Sequence, residues 1–385
     1  MATGPDGVLH TDLYQLAMAQ AYLGEGMAGT AAFELFFRTL PPQRNFLVTA
    51  GLAQALDFLE ALAPGAAELD WLRSLGRFDD ALLDWLAGLR FTGAVDAMPE
   101  GTIVFADEPV LRVTAPIAMA QLVETRLINL LHFQTLISSK AARLMLAAQG
   151  RPLVDFGYRR AHGAEAGVMA ARAAYMAGFA GTATVEAGRR FGIPLYGTMA
   201  HSFIQAHAGE AEGFLAFARA RPERLVLLID TYDTEQAATL VTELAPRLAA
   251  QGITVAGVRI DSGDLAAHAG AVRAILDSGG CRDVTIFASG GLDEDKIARL
   301  RAAHAPIDGF GVGTSLTTSS DAAALDCAYK LQEYAGEARR KTSEGKATWP
   351  GRKQVFRRFD ADRRMADDLL ALEGEDAPGE PCCGR

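Results

Sequence analysis

The sequence predicts an α/β protein: a (β/α) barrel-like domain of parallel strands, plus a smaller α+β domain formed by the N-terminal and C-terminal segments. Three observations predict it. From residue 150 onward, short β-rich runs alternate with Ala-rich helical segments, the rhythm of parallel strands joined by right-handed crossovers. Residues 90–114 instead alternate brief β-rich runs with Gly and Pro, which suits a small antiparallel unit. After residue 320, the strand-like CAYKLQEY and a basic stretch follow, and these are expected to return to the first domain. The expected boundaries are 1–115 for the N-terminal α+β domain and 116–325 for the barrel, entered through a linking helix at 116–149. A return segment at 326–360 packs on the first domain, and 361–385 is an acidic flexible tail.

Taken in order, residues 11–24 (TDLYQLAMAQAYLG) carry apolar residues at helical spacing behind Thr11, a capping type. Residues 31–37 (AAFELFF) read as a strand, and 51–63 and 66–88 as helical. Residues 116–149 form one long helical stretch, with Pro116 suited to its first turn. The barrel strands are then expected at 152–156, 193–197, 224–230, 253–261, 283–289 and 306–313.

Composition narrows the function. The chain has 385 residues, half of them hydrophobic and 22% charged, enough for a large buried core. No apolar run approaches the roughly 18 residues that cross a bilayer, and the first residues lack a basic and an apolar signal region. Cys281, Cys327, Cys382 and Cys383 have neither metal-ligand nor disulfide-framework spacing. The expectation is a cytoplasmic enzyme with no membrane partner. A net charge of −10 argues against nucleic acid held by general phosphate attraction. That charge is uneven: residues 339–358 sum to +7 and residues 360–385 to −5. The basic stretch suits either an anion-facing hairpin or a solvated edge pair, and the acidic end a mobile tail.

The polar residues that could carry chemistry collect at the predicted strand ends, where barrels place their active sites. DFGYRRAHG offers Phe156 as a stacking face and Arg159 and Arg160 as anion-binding forks, one of which is expected to be a structural ion-pair partner. GTMAHSF puts His201 after a strand and a Gly-Thr turn, where a nucleophile or phosphate acceptor would stand. His207, six positions on, falls on another helical face. In RIDSGD, two-residue alternation sets Arg259 and Asp261 on one side. Asp261 suits ribose hydroxyls or bound magnesium, and Ser262 or Asp264 suits a helix cap. Ser289, Gly290 and Gly291, then Gly311, Gly313 and Thr314, form two Gly-rich turns between strand and helix, and as a pair they predict a phosphate site.

These segments together resemble nicotinate phosphoribosyltransferase. TDLYQL, FELFFR, NFLVTAGL, LLHFQTLISSKAAR, DFGYRRAHG, GIPLYGTMAHSF, VRIDSGDL, FASGGLDE, GFGVGTSL and GKATWPGRKQVFR match in order over roughly nine-tenths of the chain. The resemblance implies a type II phosphoribosyltransferase, a homodimer with shared active sites that acts in NAD salvage. The implied reaction joins nicotinate to phosphoribosyl pyrophosphate, releasing nicotinate mononucleotide and pyrophosphate. ATP is the coupled co-substrate and magnesium arrives with the substrate. Carried over residue by residue, His201 matches the histidine that ATP phosphorylates, with Ser202 beside it. Tyr14 matches an aromatic lent by a neighbouring subunit to cover the pyridine ring, opposite Phe156. Arg159 or Arg160 matches an arginine near the pyridine carboxylate and phosphates. Arg259 and Asp261 match a substrate site, the Gly-rich turns match the 5′-phosphate site, and Lys140 in SSKAAR is a weaker carry-over.

Two departures from the family pattern bear on specificity. Many relatives read GTSNV where this chain has Gly181-Thr182-Ala183-Thr184-Val185. Nicotinamide-using relatives carry an Asp at the position of Ala183, which would repel a carboxylate, so nicotinate is predicted over nicotinamide. Some relatives carry a cysteine metal knuckle near the C-terminus. Here Cys382-Cys383 stands without partners, so no zinc and no protein-only metal site is predicted. The alternatives are a quinolinate or nicotinamide phosphoribosyltransferase of the same fold, or a catalytically idle nucleotide-binding relative.

Overall fold

The computed structural model describes residues 7–383. The chain forms two compact units, one from Met1–Ser139 with Ala324–Arg385 and the other from Lys140–Ala323. The expected division at 115/116 therefore moves to 139/140, inside the helix Glu124–Ala148. The predicted 116–149 stretch is two helices, Ile117–Leu122 and Glu124–Ala148, parted at Val123.

In the first unit, the helix Leu13–Gly24 begins after Asp12, and Thr11 does not cap it. The Thr11 hydroxyl donates to the Leu122 carbonyl at 3.3 Å instead, tying the helix entry to a distant segment. Strands β1 (Thr30–Phe37), β2 (Leu47–Val48), β3 (Ala94–Ala97), β4 (Ile103–Val104) and β5 (Pro109–Pro116) follow in order. The helical run 66–88 divides into Ala66–Ser74 and Asp80–Ala87, because Gly76 turns at φ 61° and Asp79 caps the second piece through the Leu82 amide.

The second unit holds β6 (Leu153–Asp155), β7 (Gly181–Thr182), β8 (Leu225–Leu228), β9 (Val255–Ile260), β10 (Thr285–Ala288) and β11 (Gly309–Val312). They form one six-stranded sheet in the order β7-β6-β11-β10-β9-β8, with every paired neighbour parallel. The sheet is a curled half-barrel. Its strands are buried nearly throughout, as parallel strands covered on both faces must be. Residues 193–197, expected as a full strand, give only a bridge from Leu195 to Thr182. Pro194 supplies no amide hydrogen there, and its carbonyl accepts from the Thr182 amide at 3.0 Å. Asp233, Asp264 and Asp293 cap the helices Thr234–Ala249, Leu265–Ser278 and Glu294–Ala302 that follow β8, β9 and β10. Each connection is therefore short, and the polar residues between strand end and cap are held at the carboxyl edge of the sheet.

The chain then re-enters the first unit through β12 (Cys327–Tyr334), β13 (Glu337–Ala338), β14 (Lys353–Phe359), β15 (Met365–Leu372) and β16 (Glu380–Pro381). β12 pairs antiparallel with β1 inside the sheet β13-β12-β1-β5-β3, and Phe33 stacks on buried Tyr329 at 5.0 Å between ring centroids. The expected flexible tail is instead ordered: β14, β15 and β16 make a three-stranded sheet. Its cause is charge complementarity. Arg357 bonds both oxygens of Asp368, at 2.8 and 2.6 Å, and Arg358 pairs with Asp367. At this end of the basic stretch Arg357 is closed into a buried pair, whereas Arg358 with Asp367 is a solvated edge pair. Residues 1–6 and 384–385 of the expected end segments lie outside the described residues. Among the described residues, no helix is long and apolar enough to cross a membrane.

Candidate active site

The carboxyl ends of the parallel strands enclose a cavity of about 360 Å³ that contains Phe156, Arg159, Ala183, His201, Arg259 and Asp261 in its wall. A second cavity of about 160 Å³ shares Phe156, Arg159, Arg259 and Asp261, and adds Arg160, Ser289, Gly290, Gly291, Gly311, Gly313 and Thr314. One wall therefore serves two spaces, the larger mostly apolar in its lining and the smaller rimmed by glycines and arginines.

Arg259 and Asp261 sit at the end of β9 and just beyond it. The Arg259 Nη2 donates to Asp261 Oδ1 at 2.7 Å, its Nε donates to the Ser289 hydroxyl at 2.8 Å, and that hydroxyl donates to Asp261 Oδ1 at 2.5 Å. Burial alone would raise the Asp261 carboxyl, but the Ser289 bond and the Arg259 charge outweigh it and hold the group below its usual range. Asp261 is thus kept as a carboxylate facing the cavity. Asp264, not Asp261, caps the next helix, by accepting from the amides of Ala266 and Ala267.

His201 opens the short helix His201–Gln205, and its Nδ1 lies 3.2 Å from the Thr231 hydroxyl. Its Nε2 stands 3.9 Å from Asp230 Oδ1. That oxygen is buried and has no hydrogen-bond partner among the described residues, while Oδ2 accepts from the Asp261 amide at 3.0 Å and the Ser262 hydroxyl at 2.5 Å. Asp230 was not singled out from the sequence. Its signal was present: an Asp closes the run RLVLLID just as Asp261 closes VRID, and both land at one edge.

Phe156 follows β6 with its ring 5.2 Å from the Arg259 guanidinium carbon, which lies over it, and 6.0 Å from the Phe287 ring. Arg159 and Arg160 occupy a 3-10 turn, Tyr158–Arg160, not an extended segment. Both are exposed, and neither forms an ion pair among the described residues, so the expected structural partner among them is not found. Gly290 has φ 96°, and a Cβ there would meet the Asp261 carbonyl oxygen at 1.8 Å, so that turn admits no side chain. The amide nitrogens of Gly290, Gly291 and Thr314 have no hydrogen-bond partner among the described residues, which leaves them available to an anion.

Three expected residues are not brought to either cavity. Ser202 is exposed one position past His201, a helical step that turns it off the lining. Lys140 is buried between two carboxylates, 2.5 Å from Glu294 and 3.0 Å from Asp321, and lines neither cavity. Tyr14 lies in the first unit, 47% exposed on its helix, and lines neither cavity. Among the described residues, no group of three or more His, Cys, Asp or Glu is placed to hold a metal ion. Asp261 and Asp230 do offer carboxylate oxygens, which suits a magnesium ion that keeps most of its ligands from water and phosphate.

Comparison with known proteins gives the family of the chain. Residues 9–132 match the nicotinate phosphoribosyltransferase N-terminal domain, and residues 152–349 match the nicotinate phosphoribosyltransferase family. A nicotinate phosphoribosyltransferase of Mycobacterium tuberculosis is 54% identical over 375 residues, covering 97% of this chain and 80% of the relative. One of Bacillus subtilis is 39% identical, covering 95% and 76%. The crystal structure of human nicotinic acid phosphoribosyltransferase superposes with a TM-score of 0.86 at 30% identity, over 97% of this chain and 86% of that one. With both of its segments matched and the strand-end cavity formed as described, this chain belongs to the nicotinate phosphoribosyltransferase family.

Proposed function

We infer that this chain joins nicotinate to the ribose C1 of phosphoribosyl pyrophosphate, giving nicotinate mononucleotide and pyrophosphate, with ATP consumed through phosphorylation of His201. The observation that supports this reading most is the meeting of Phe156, Arg159, Ala183, His201, Arg259 and Asp261 around one cavity that adjoins a glycine-rimmed second space. The pyridine nitrogen of nicotinate donates its lone pair to C1 as the C1–oxygen bond to pyrophosphate breaks. No proton moves in that step. The bonding electrons leave with the diphosphate, and positive charge builds on the ribose.

Each residue type answers a demand of that step. Phe156 offers a flat face to the ring, and Ala183 leaves room for a carboxylate without opposing its charge. Arg159 and Arg160 attract the carboxylate and phosphate charges. The free amides of Gly290, Gly291 and Thr314, with the small Gly311 and Gly313 beside them, suit the 5′-phosphate. Asp261, held ionised by Ser289 and Arg259, suits the ribose hydroxyls or the metal, and Arg259 offsets charge on the leaving group. Magnesium carried by the diphosphate would be approached by Asp261 and Asp230 and would neutralise part of the leaving charge. His201, with Nδ1 3.2 Å from the Thr231 hydroxyl and Nε2 3.9 Å from Asp230, can take the γ-phosphoryl group of ATP on a ring nitrogen as ADP leaves, and pass it to water to give inorganic phosphate. Its phosphorylation would act by changing the relative affinity for substrate and product states.

The same reading makes the enzyme a cytoplasmic homodimer. Tyr14, half-exposed and outside this chain's cavities, fits a residue lent to a partner's ring site. All four cysteines are free thiols, which fits a reducing compartment. The test is pyrophosphate release with nicotinate, nicotinamide and quinolinate, each with and without ATP. Release with nicotinate, raised by ATP, is expected. Release with quinolinate, accompanied by carbon dioxide and indifferent to ATP, would replace the assignment.

A further inference from the structure

Asp155 ends β6 with no exposed surface, yet among the described residues its surroundings supply hydrogen bonds and no cation. Burial pushes its carboxyl upward, against the pull of those bonds, so a less polar residue would fill the site at lower cost. Its two oxygens are occupied by two different turns. Oδ1 accepts from the Gly157 amide at 2.8 Å, and Oδ2 accepts from the Thr182 hydroxyl at 2.6 Å. The Thr182 oxygen accepts in turn from the Thr184 amide at 2.9 Å. Gly157 leads the turn that presents Tyr158 and Arg159, and Thr182 and Thr184 flank Ala183. Phe156, Tyr158, Arg159 and Ala183 all border the larger cavity.

The backbone ties these turns at few points: the Ala180 amide donates to the Leu153 carbonyl and the Ala183 amide to the Asp155 carbonyl, each at 2.8 Å. β7 has two residues, and only Val154–Gly181 and Asp155–Thr182 are in register with β6. Gly157 also packs closely: a Cβ there would meet the Thr317 hydroxyl at 1.9 Å, so its turn is seated against the helix that follows the second glycine turn. The ladder bond from Ala183 does not reach the Gly157 turn, and the carboxylate, bonded to both turns, adds that side-chain link.

We propose that Asp155 is a positioning residue that sets the separation of the two walls between which the flat ring binds, holding the Gly157 amide and the Thr182 hydroxyl with one carboxylate. This rests on the reading that the larger cavity receives nicotinate. The test compares Thr182→Val, Thr182→Ser and Asp155→Asn with the unaltered enzyme. It reads kcat, KM for nicotinate, KM for phosphoribosyl pyrophosphate, the preference for nicotinate over 5-methylnicotinate, and Tm.

Thr182→Val should raise the nicotinate KM about tenfold, leave the phosphoribosyl pyrophosphate KM within about twofold, and weaken the preference against the methylated ring. Thr182→Ser, which keeps the hydroxyl, should restore both. The proposal fails if Thr182→Val lowers Tm and kcat while the nicotinate KM and ring preference stay unchanged, or if both KM values rise together. Should Asp155→Asn not fold, the Thr182 pair still decides. Absence of nicotinate turnover by the unaltered enzyme would instead overturn the functional reading itself.

Discussion

Arg259 with Asp261, and Arg357 with Asp368, are the same chemical pair in two settings. Across β14 and β15, Arg357 meets both oxygens of Asp368 and spends its Nη2 on the Ile103 carbonyl as well. At the end of β9, Arg259 bonds a single oxygen of Asp261, and a hydroxyl shares that oxygen. The first pair is 9% and 7% exposed, the second 15% and 26%. What separates a structural pair from a binding pair is thus the bonding capacity left over. A closed fork stabilises a sheet, and an open one beside a cavity can still receive a ligand.

The largest expected effect is on the open pair. Asp261→Asn should lower kcat/KM by about 10²–10³-fold, the scale of losing one preorganised polar group, with Tm little changed. A large fall in Tm with normal activity in the folded fraction would make this pair structural too. His201→Ala should remove the ATP-dependent gain and leave ATP-independent turnover, and equal ATP stimulation in the variant would exclude it from phosphoryl transfer. Ala183→Asp should raise the nicotinate KM about tenfold by placing a second negative charge near the carboxylate, while an unchanged KM would mean that it does not face the ring substituent.

The closed pair should answer in stability. Asp368→Asn leaves a buried guanidinium without its carboxylate and should cost roughly 3–5 kcal/mol in denaturant unfolding, with kcat retained by the folded enzyme. The smallest effect concerns Glu108, which neighbours this pair. Burial, opposed by the Phe105 amide and reinforced by Asp368, pushes its carboxyl up to about 7. The folded state therefore holds a proton that the unfolded chain releases near 4.5. Stability from this group is present below that value and is lost as pH rises through about 7. Glu108→Gln should flatten the stability–pH curve over that window, and an unaltered slope would remove Glu108 as its source.

Much of the site was legible because strand-end chemistry follows simple patterns. Asp261 and Arg259 lay two positions apart on a β-rich run, and the glycine turns stood between strand and helix. His201 was legible for its place after a turn, but Asp230, its buried neighbour, is an ordinary Asp until folding brings it within 3.9 Å of that ring. The ion pairs of Lys140 were not legible, because a lysine in a helix carries no mark of what it meets, and its partners Glu294 and Asp321 lie over 150 positions away. β7 escaped notice because two residues, Gly181 and Thr182, give no alternation to read. The acidic end misled for a related reason: composition reports charge but not pairing, and Asp367 and Asp368 are matched across a sheet by Arg358 and Arg357, which precede them.

The pairing of β1 with β12 has a consequence for how the molecule is made. Phe33 takes its place against Leu331, and β1 stands in the middle of its sheet. At roughly 5–20 residues per second, a ribosome needs roughly 15–60 s to supply that partner after β1 has left the tunnel. Through that interval one side of an apolar strand stands bare, a wait about twice as long as that of β6 for its neighbour β11 in the parallel sheet. The order of synthesis and the order of completion are therefore reversed: the unit begun first is the one finished last.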